Sequence, residues 1–304
     1  MSSRAPLLPP LRPWIEQVWV SARADAAPAH AREHSLPSGS MHLAIRLDGP
    51  PLRLYADADD RVGRGYSAAV VAGVRASYCI KDTSLPAASV GAVLRPGAAL
   101  ALFGVSAAEL ESRHVDLREL CGARADDLYE RLSACADPRR RRALFERFLH
   151  AQLRPVRGLD PQIAQAVSSL QRSAPALQAA ARLETIVADE DDDDDLRIAA
   201  LARASGRSHR HFIAGFRDLA GLAPKRYARV LRFKRLLAAL AATPRPQWAQ
   251  LAVDTGYFDQ SHLIREFRRF AGVSPREYLA AGAASAHHLP LGTARGDLSG
   301  KHRG

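Results

Sequence analysis

Between residues 196 and 282 the chain reads LRIAALARASGRSHRHFIAGFRDLAGLAPKRYARVLRFKRLLAALAATPRPQWAQLAVDTGYFDQSHLIREFRRFAGVSPREYLAAG, and one pattern occurs in it twice. Three residues recur 50 positions later: Leu201, Ala202 and Gly206 return as Leu251, Ala252 and Gly256. Seven more recur at an offset of 51: His211, Phe216, Arg217, Ala220, Gly221, Pro224 and Tyr227 return as His262, Phe267, Arg268, Ala271, Gly272, Pro275 and Tyr278. These identities in register indicate an internal duplication.

Each copy predicts a helix, a turn at a glycine and a second helix, which is the helix-turn-helix arrangement. The predicted helices cover residues 198–204 and 209–220 in the first copy, and residues 248–255 and 260–271 in the second. Ser208 and Asp259 stand where a side-chain oxygen accepts the unpaired N–H groups of the second helix. Gly221 and Gly272 stand at the C-terminal caps. A helix over residues 225–242 joins the two copies. Its length is about 27 Å at the rise of an α-helix.

The charge of the chain is concentrated in this segment. Residues 196–282 hold sixteen Lys and Arg against five Asp and Glu, a net charge of +11 that equals the net charge of all 304 residues. A basic excess of this size predicts an acidic partner, either nucleic acid or an anionic membrane surface. The duplicated helical geometry favours nucleic acid.

Two stretches resemble the paired helix-turn-helix domain of AraC/XylS-family regulators. They are SGRSHRHFIAGFRDLAGLAPKRYARVLRFKRLLAAL and LAVDTGYFDQSHLIREFRRFAGVSPREYL, within residues 196–280. The second is the more specific, and its residues at the family's spacing are Gly256, Tyr257, Ser261, His262, Leu263, Arg265, Phe267, Arg268, Gly272, Val273, Ser274, Pro275 and Tyr278. The resemblance implies a sequence-specific DNA-binding transcription regulator that reads two adjacent major-groove segments.

In helix-turn-helix proteins the second helix lies in the major groove, with its N-terminal residues near base edges. The predicted base-reading residues are His209, Arg210, Ile213 and Ala214 in the first copy, and Gln260, Ser261, His262 and Arg265 in the second. Four of these have an alternative: Arg265 as a phosphate contact, His262 as a packing or capping residue, and Ile213 and Ala214 as apolar filler. The predicted phosphate contacts are Ser208, Arg217, Lys225, Arg226, Arg268, Arg269, Ser274 and Arg276.

The N-terminal part predicts β-structure followed by helices. Residues 41–47 (MHLAIRL) and 68–74 (AAVVAGV) are short apolar runs typical of buried strands, and residues 94–97 (LRPG) predict a turn. Helical spacing begins near Asp126, and Pro138 divides it into two helices. Three motifs weakly resemble the companion domain of one subset of the same regulators: LRPW at 11–14, LPSG at 36–39 and LRPGAA at 94–99. That resemblance implies a sensor or dimerisation domain, often a β-barrel.

These features predict an α+β protein in four parts. Residues 1–158 form a β-rich sensor-like domain with helices, and residues 159–195 form a helical linker that ends in seven consecutive acidic residues at 189–195. Residues 196–282 form an all-α domain of two helix-turn-helix units joined by a long helix. Residues 283–304 have little periodicity and predict a disordered tail.

Other classes of protein have little support. The sequence has no GxSxG, no HExxH and no phosphate-binding glycine loop. His30, His34 and His42 do not predict a metal site, and we expect Cys79, Cys121 and Cys135 to be buried thiols in a reducing cytoplasm. No apolar stretch is long enough to span a bilayer. The alternatives are a DNA-targeted enzyme, such as an alkyl-transfer repair protein with an activated cysteine, and an architectural DNA protein without sequence preference.

The expected partner is double-stranded DNA, and no cofactor or membrane is expected. The resemblance adds RNA polymerase, a small-molecule effector and a second copy of the chain as candidate partners.

Overall fold

The computed structural model describes residues 6–23, 30–156, 160–172, 198–243, 245–282 and 285–291. The acidic run at 189–195 lies outside these residues. In the described part the chain is β-rich at its N-terminal end and helical at its C-terminal end, which confirms the predicted α+β class.

Ten strands form two antiparallel five-stranded sheets among the described residues. The strands are β1 (Ile15–Ser21), β2 (Arg32–Ser35), β3 (Met41–Arg46), β4 (Arg53–Tyr55), β5 (Arg64–Gly65), β6 (Ala69–Ala72), β7 (Cys79–Asp82), β8 (Ser89–Leu94), β9 (His114–Asp116) and β10 (His288–Leu291). The first sheet has the order β1-β8-β3-β6-β9, and the second has the order β10-β2-β7-β4-β5. Strands predicted at 41–47 and 68–74 are therefore confirmed as β3 and β6.

Alternation along β3 assigns the two faces of the first sheet. Leu43 and Ile45 are fully buried in the hydrophobic core, whereas His42, Ala44 and Arg46 point to the opposite face because successive side chains in a strand alternate. That opposite face lines a cavity between the two sheets.

Helices follow the last strand of the first sheet. They are α1 (Leu117–Cys121), α2 (Ala123–Ser133) and α3 (Pro138–Gln152), followed after a gap by α4 (Pro161–Arg172). Pro138 is the first residue of α3, so the predicted division of the helical region at this proline is confirmed. The predicted turn after Leu94 is also present.

The duplicated segment contains the predicted helices. They are α5 (residues 198–204), α6 (His209–Ala220), α7 (Pro224–Ala242), α8 (Trp248–Thr255), α9 (Gln260–Ala271) and α10 (Pro275–Ala280). The helices α5 and α6 form the first unit, α8 and α9 form the second, and α7 joins them.

The chain beyond residue 282 differs from the prediction of a disordered tail. Residues 288–291 form β10, which pairs with β2 in the register His288 to Ser35 and Leu291 to Arg32. Leu289 is 2% exposed, so this short strand from the end of the chain completes a sheet that begins near its start. Residues 292–304 lie outside the described part.

One hydrophobic cluster contains residues from both the N-terminal and the C-terminal part of the chain. It includes Leu43 and Val90 of the first sheet, Ile163 of α4, and Phe216 and Phe233 of the duplicated segment. Part of the region predicted as a linker therefore packs into the core: a Cβ on Gly215 of α6 would lie only 2.4 Å from Cδ1 of Ile163.

Candidate nucleic-acid interface

The second helix of each unit is capped at both ends as the duplication predicts. The Ser208 hydroxyl accepts the His211 backbone N–H, and a carboxylate oxygen of Asp259 accepts the His262 backbone N–H at 2.7 Å. Gly221 and Gly272 end the helices with φ of 84° and 75°. This is the left-handed conformation that favours glycine. Both helices therefore begin and end at equivalent residues.

The N-terminal turns of α6 and α9 face solvent, whereas their opposite sides are buried. Phe212 and Phe216 of α6 and the equivalent Leu263 and Phe267 of α9 are completely buried. The exposed predicted base-reading residues are His209, Arg210, Ala214, Gln260, Ser261 and Arg265. Ile213 is half-buried and packs against the core. The exposed turns carry polar groups suited to base edges, above all the arginines at 210 and 265.

His262 lies among core residues. It is 9% exposed, its ring packs edge-on against Tyr257, and its Nδ1 accepts the Phe258 backbone N–H at 3.4 Å. Burial lowers the pKa of this imidazole. Of the two roles left open by the sequence, these contacts favour packing and capping over base reading.

Two of the predicted phosphate contacts are ion-paired within the chain. Arg226 of α7 and Arg217 of α6 bind the two carboxylate oxygens of Glu111, at 2.5 Å and 3.3 Å. Glu111 follows a short 3-10 helix (Ala107–Leu110) of the N-terminal part, whose N-cap residue Ser106 also donates a hydrogen bond to Asp218 at 2.7 Å. The first unit is thus attached to the N-terminal part at the C-terminal end of α6.

The other predicted phosphate contacts fall into two groups. Arg268, Arg269 and Arg276 are exposed, and Lys225 is half-buried. Ser208 and Ser274 cap helices α6 and α10, so their hydroxyls already accept backbone N–H groups.

The joining helix α7 holds the second unit by packing and by an ion pair. Phe233 of α7 contacts the rings of Phe267 and Phe270, with centroids 5.3 Å and 5.0 Å apart. Arg229 binds Glu266 through two nitrogens, and its Nε lies 2.9 Å from Oε2. Glu266 is 6% exposed, and although burial raises its pKa, the Arg229 contacts lower it more.

A second site lies between the two sheets of the N-terminal part. It is a cavity of about 640 Å³. This volume is within the range of small-molecule sites. Its lining includes apolar groups such as Trp19, Leu54 and Val70, together with the polar side chains of Arg46 and Lys81. His287 and His288, next to and within β10, close one side of it.

Burial and ion pairing divide the titratable groups of this cavity into two sets. Burial lowers the pKa of His42 to about 4, of His114 to about 3 and of His287 to about 4, so these rings are neutral at pH 7. Burial raises the pKa of Glu33, but hydrogen bonds from His288 and Lys81 outweigh it and leave a pKa of about 2. The cavity thus combines neutral imidazoles with a fixed ion pair between Glu33 and Lys81, 2.5 Å apart.

The Nε of Arg46 is an unsatisfied donor in the cavity wall. This atom is buried and has no hydrogen-bond partner among the described residues, while a terminal nitrogen of the same side chain reaches the Leu85 carbonyl at 3.4 Å. A buried donor without an acceptor costs free energy. An occupant with an acceptor near Arg46 would remove this cost.

The histidines considered for a metal site each contact another group of the chain. His30 lies beside Glu33, His34 binds the Ala271 carbonyl, and the His42 ring bonds Ser38. The described residues include no group of three or more His, Cys, Asp or Glu placed to hold a metal. Burial raises the thiol pKa of Cys79 and Cys121, which is the opposite of the activation that alkyl transfer needs.

Comparison with known families covers both parts of the chain. Residues 201–281 match a family model described as "Helix-turn-helix domain", which is of the AraC type. The C-terminal part of the chain is an AraC-type helix-turn-helix domain, a domain typical of DNA-binding transcription regulators. Residues 5–116 match a model described as "Domain of unknown function (DUF6597)". The resemblance stated from the sequence is therefore confirmed.

Similar solved structures include ToxT from Vibrio cholerae, at 9% identity over 87% of this chain and 97% of that chain, with a TM-score of 0.42. Another is "unsaturated fatty acid bound wild-type ToxT" from V. cholerae strain SCE256, at 10% identity over 87% of this chain and 95% of that chain, with a TM-score of 0.44. Among the helices that the structure describes, none has the length and apolar character of a membrane span.

Several residues of interest were not predicted from the sequence. They are the cavity residues, Glu111, and the residues that connect the N-terminal part to the two units. The cavity residues are spread over many separate segments, and only the alternation along β3 and β7 could have indicated an inward face. Glu111 carries no local signal, because an acidic residue in a loop is ordinarily solvated.

Proposed function

We propose that this regulator reads two successive major-groove segments of double-stranded DNA with the N-terminal turns of α6 and α9. The observation that carries this is the repeated exposure of the same turn in two units whose opposite helix faces are buried. The joining helix α7 has 19 residues. Its length of about 28 Å is comparable to the roughly 34 Å of one turn of DNA.

The roles proposed for individual residues follow from their exposure and chemistry. Arg210 and Arg265 are exposed and can place a guanidinium against guanine, and Gln260 is placed to bind adenine. Arg268, Arg269 and Arg276 contact phosphates, which fix the position of the protein without reading sequence. The second unit supplies more polar reading groups than the first, because Ala214 stands at the position of Arg265.

The experiment is selection of binding sites from a random duplex library, followed by footprinting of the selected DNA. A bipartite reader yields two short boxes about 10 base pairs apart. Replacing Arg265 by Ala should cost roughly 1–3 kcal/mol on the selected site and relax preference at particular base pairs. The matched control Arg276→Ala should weaken selected and scrambled DNA alike. A site with a single box would overturn the bipartite proposal.

We also propose that a small molecule in the cavity between the sheets controls DNA binding. The cavity volume, its apolar lining and the unsatisfied Nε of Arg46 support an occupant with an apolar body and a hydrogen-bond acceptor. A panel of small carboxylates, screened by thermal shift, tests this. Stabilisation by a panel member should be lost in Arg46→Met and retained in Arg64→Met, a change of an exposed arginine outside the cavity.

RNA polymerase and a second copy of the chain remain proposed partners, as the family resemblance implies. Binding of purified RNA polymerase to the protein on its selected DNA site tests the first, and sedimentation of the free protein tests the second.

A further inference from the structure

The loop between β6 and β7, residues 73–78, reaches from the N-terminal part to both helix-turn-helix units. At one end of this β6–β7 loop, Val74 packs on the first unit: a Cβ on Gly221 would lie 3.2 Å from the Val74 Cβ. At the other end, Tyr78 packs on the second unit: a Cβ on Gly272 would lie 2.6 Å from the Tyr78 Cε1. One short loop therefore touches both units.

The two contact points are equivalent positions of the duplication. Gly221 and Gly272 match each other in the repeat and cap the C-terminal ends of α6 and α9, the two recognition helices. The exposed N-terminal turns lie at the opposite ends of the same helices. A displacement of the C-terminal end of either helix therefore moves its base-reading end relative to the base-reading end of the other helix.

Backbone hydrogen bonds fix the first end of the loop. The Gly73 N–H donates to the Arg113 carbonyl, and the Ser112 N–H donates to the Val74 carbonyl, each at 2.9 Å. A Cβ on Gly73 would lie 1.6 Å from the Leu110 carbonyl oxygen. The two backbones therefore approach so closely that only glycine fits. Val74 itself is 3% exposed.

His34 fixes the second end. Its ring stacks on Tyr78 with centroids 4.1 Å apart, and its Nδ1–H donates to the Ala271 carbonyl at 2.7 Å. His34 is 5% exposed and belongs to β2, so it links Tyr78, the sheet and the end of α9. The loop is thus held against both units by groups that are themselves buried.

We propose that the β6–β7 loop is a positioning element for DNA reading, in which Val74 and Tyr78 set the relative placement of the two recognition helices and hence the spacing of the DNA boxes. This inference rests on the proposed bipartite reading. Moving a box by one base pair shifts it by about 3.4 Å along the DNA axis and rotates it by about 34°. A rigidly positioned pair of helices discriminates against such a shift, and a loosely positioned pair tolerates it.

The competing explanation is that α7 sets the spacing without the loop. Phe233 and Arg229 already attach the second unit to α7, and Phe216 packs against Tyr227 at its other end. Loss of stability alone does not separate the two explanations. The spacing preference does, because only the positioning role predicts a change in it.

The experiment repeats the selection from random duplex DNA with four full-length proteins: wild type, Tyr78→Ala, Val74→Ala and Tyr78→Phe. The phenylalanine variant keeps the ring that packs on Gly272, so it is the matched control. Wild type and Tyr78→Phe should select one spacing, and a one-base-pair insertion should lower their affinity about tenfold or more. For Tyr78→Ala and Val74→Ala this penalty should fall to about threefold or less, with unchanged box sequences.

The outcomes separate this inference from the function on which it rests. If wild type selects only one box, both the bipartite reading and the positioning role are wrong. Suppose instead that wild type selects two boxes, and that each alanine variant able to bind DNA loses as much affinity as wild type on a one-base-pair insertion. The bipartite reading then stands and the positioning role is refuted. Because the two alanine variants lie at opposite ends of the loop, failure of one to fold leaves the other to decide.

Discussion

Lowering the pH from 7 to 5 should destabilise the N-terminal part because three cavity imidazoles are held neutral. In the folded chain burial lowers the pKa of His42 and His287 to about 4 and of His114 to about 3. In the unfolded chain their pKa is near 6.5. The unfolded state therefore binds more protons between pH 6.5 and 4, so the free energy of unfolding is highest above pH 6.5 and falls as the pH drops.

The size of the effect follows from these pKa values. At pH 5 an imidazole with a folded pKa of about 4 and an unfolded pKa of about 6.5 lowers the free energy of unfolding by about 2 kcal/mol relative to pH 7. The three groups together give about 6 kcal/mol if they act independently. Glu33 does not contribute between pH 7 and 5. Its pKa is about 2 in the folded chain and about 4.5 in the unfolded chain, so the stability that it supplies is lost only as the pH falls below about 4.5.

Urea unfolding at several pH values between 5 and 7, followed by tryptophan fluorescence, measures this effect. His42→Gln should reduce the loss between pH 7 and 5 by about 2 kcal/mol, because it removes one titrating ring. His209→Gln, on the exposed turn of α6, is the matched control and should leave the loss unchanged. The reasoning is refuted if the wild type is equally stable at pH 5 and 7, or if His42→Gln keeps the full pH dependence.

Three further predictions concern other contacts. Glu111→Gln releases Arg217 and Arg226, so filter binding to random duplex DNA should show higher affinity and a steeper salt dependence. If both arginines then contact phosphates, the slope of log affinity against log salt should steepen by up to about 1.8. An unchanged slope would mean that these arginines do not reach phosphate. Arg229→Met leaves Glu266 buried without this ion pair and should cost about 3–5 kcal/mol in urea unfolding, whereas a loss below about 1 kcal/mol would show that the carboxylate finds solvent. Ending the chain after Gly282 removes β10 and the acceptor of the Tyr278 hydroxyl on Ala286, so the melting temperature should fall by several degrees, and an unchanged value would contradict the role of β10.

The helical half of the fold was predictable because its signals are local. Caps, glycine turns and the 3.6-residue period of the α-helix act within a few residues, and the duplication repeats each of them in a second copy. Ser208 and Asp259 were identified as caps in this way, and the structure has both. Pro138 similarly marks the start of α3 because its ring excludes a preceding helical residue.

The strand β10, the cavity and Glu111 depend on contacts between distant segments, and no local pattern encodes them. His288 pairs with Ser35, and Glu111 binds arginines that are far away in the sequence. The polar, aperiodic composition around His288 favours disorder in isolation, but the open edge of β2 supplies the missing hydrogen bonds. The base-reading and phosphate assignments stay predictions, since exposure alone does not distinguish a DNA contact from a solvated side chain.

Divergence between the two copies explains how each unit is attached. Gly215 in α6 and Glu266 in α9 occupy the same position of the duplication. In the first unit glycine leaves room for Ile163 of α4, and in the second the carboxylate binds Arg229 of α7. The first recognition helix therefore packs against α4 and the N-terminal part, whereas the second is held by α7 along its length and by Tyr78 and His34 at its C-terminal end. Because the second helix also carries the greater number of exposed polar side chains at predicted base-reading positions, we expect it to supply most of the base discrimination. We expect the first unit to anchor the complex and to be coupled to the N-terminal part through Glu111.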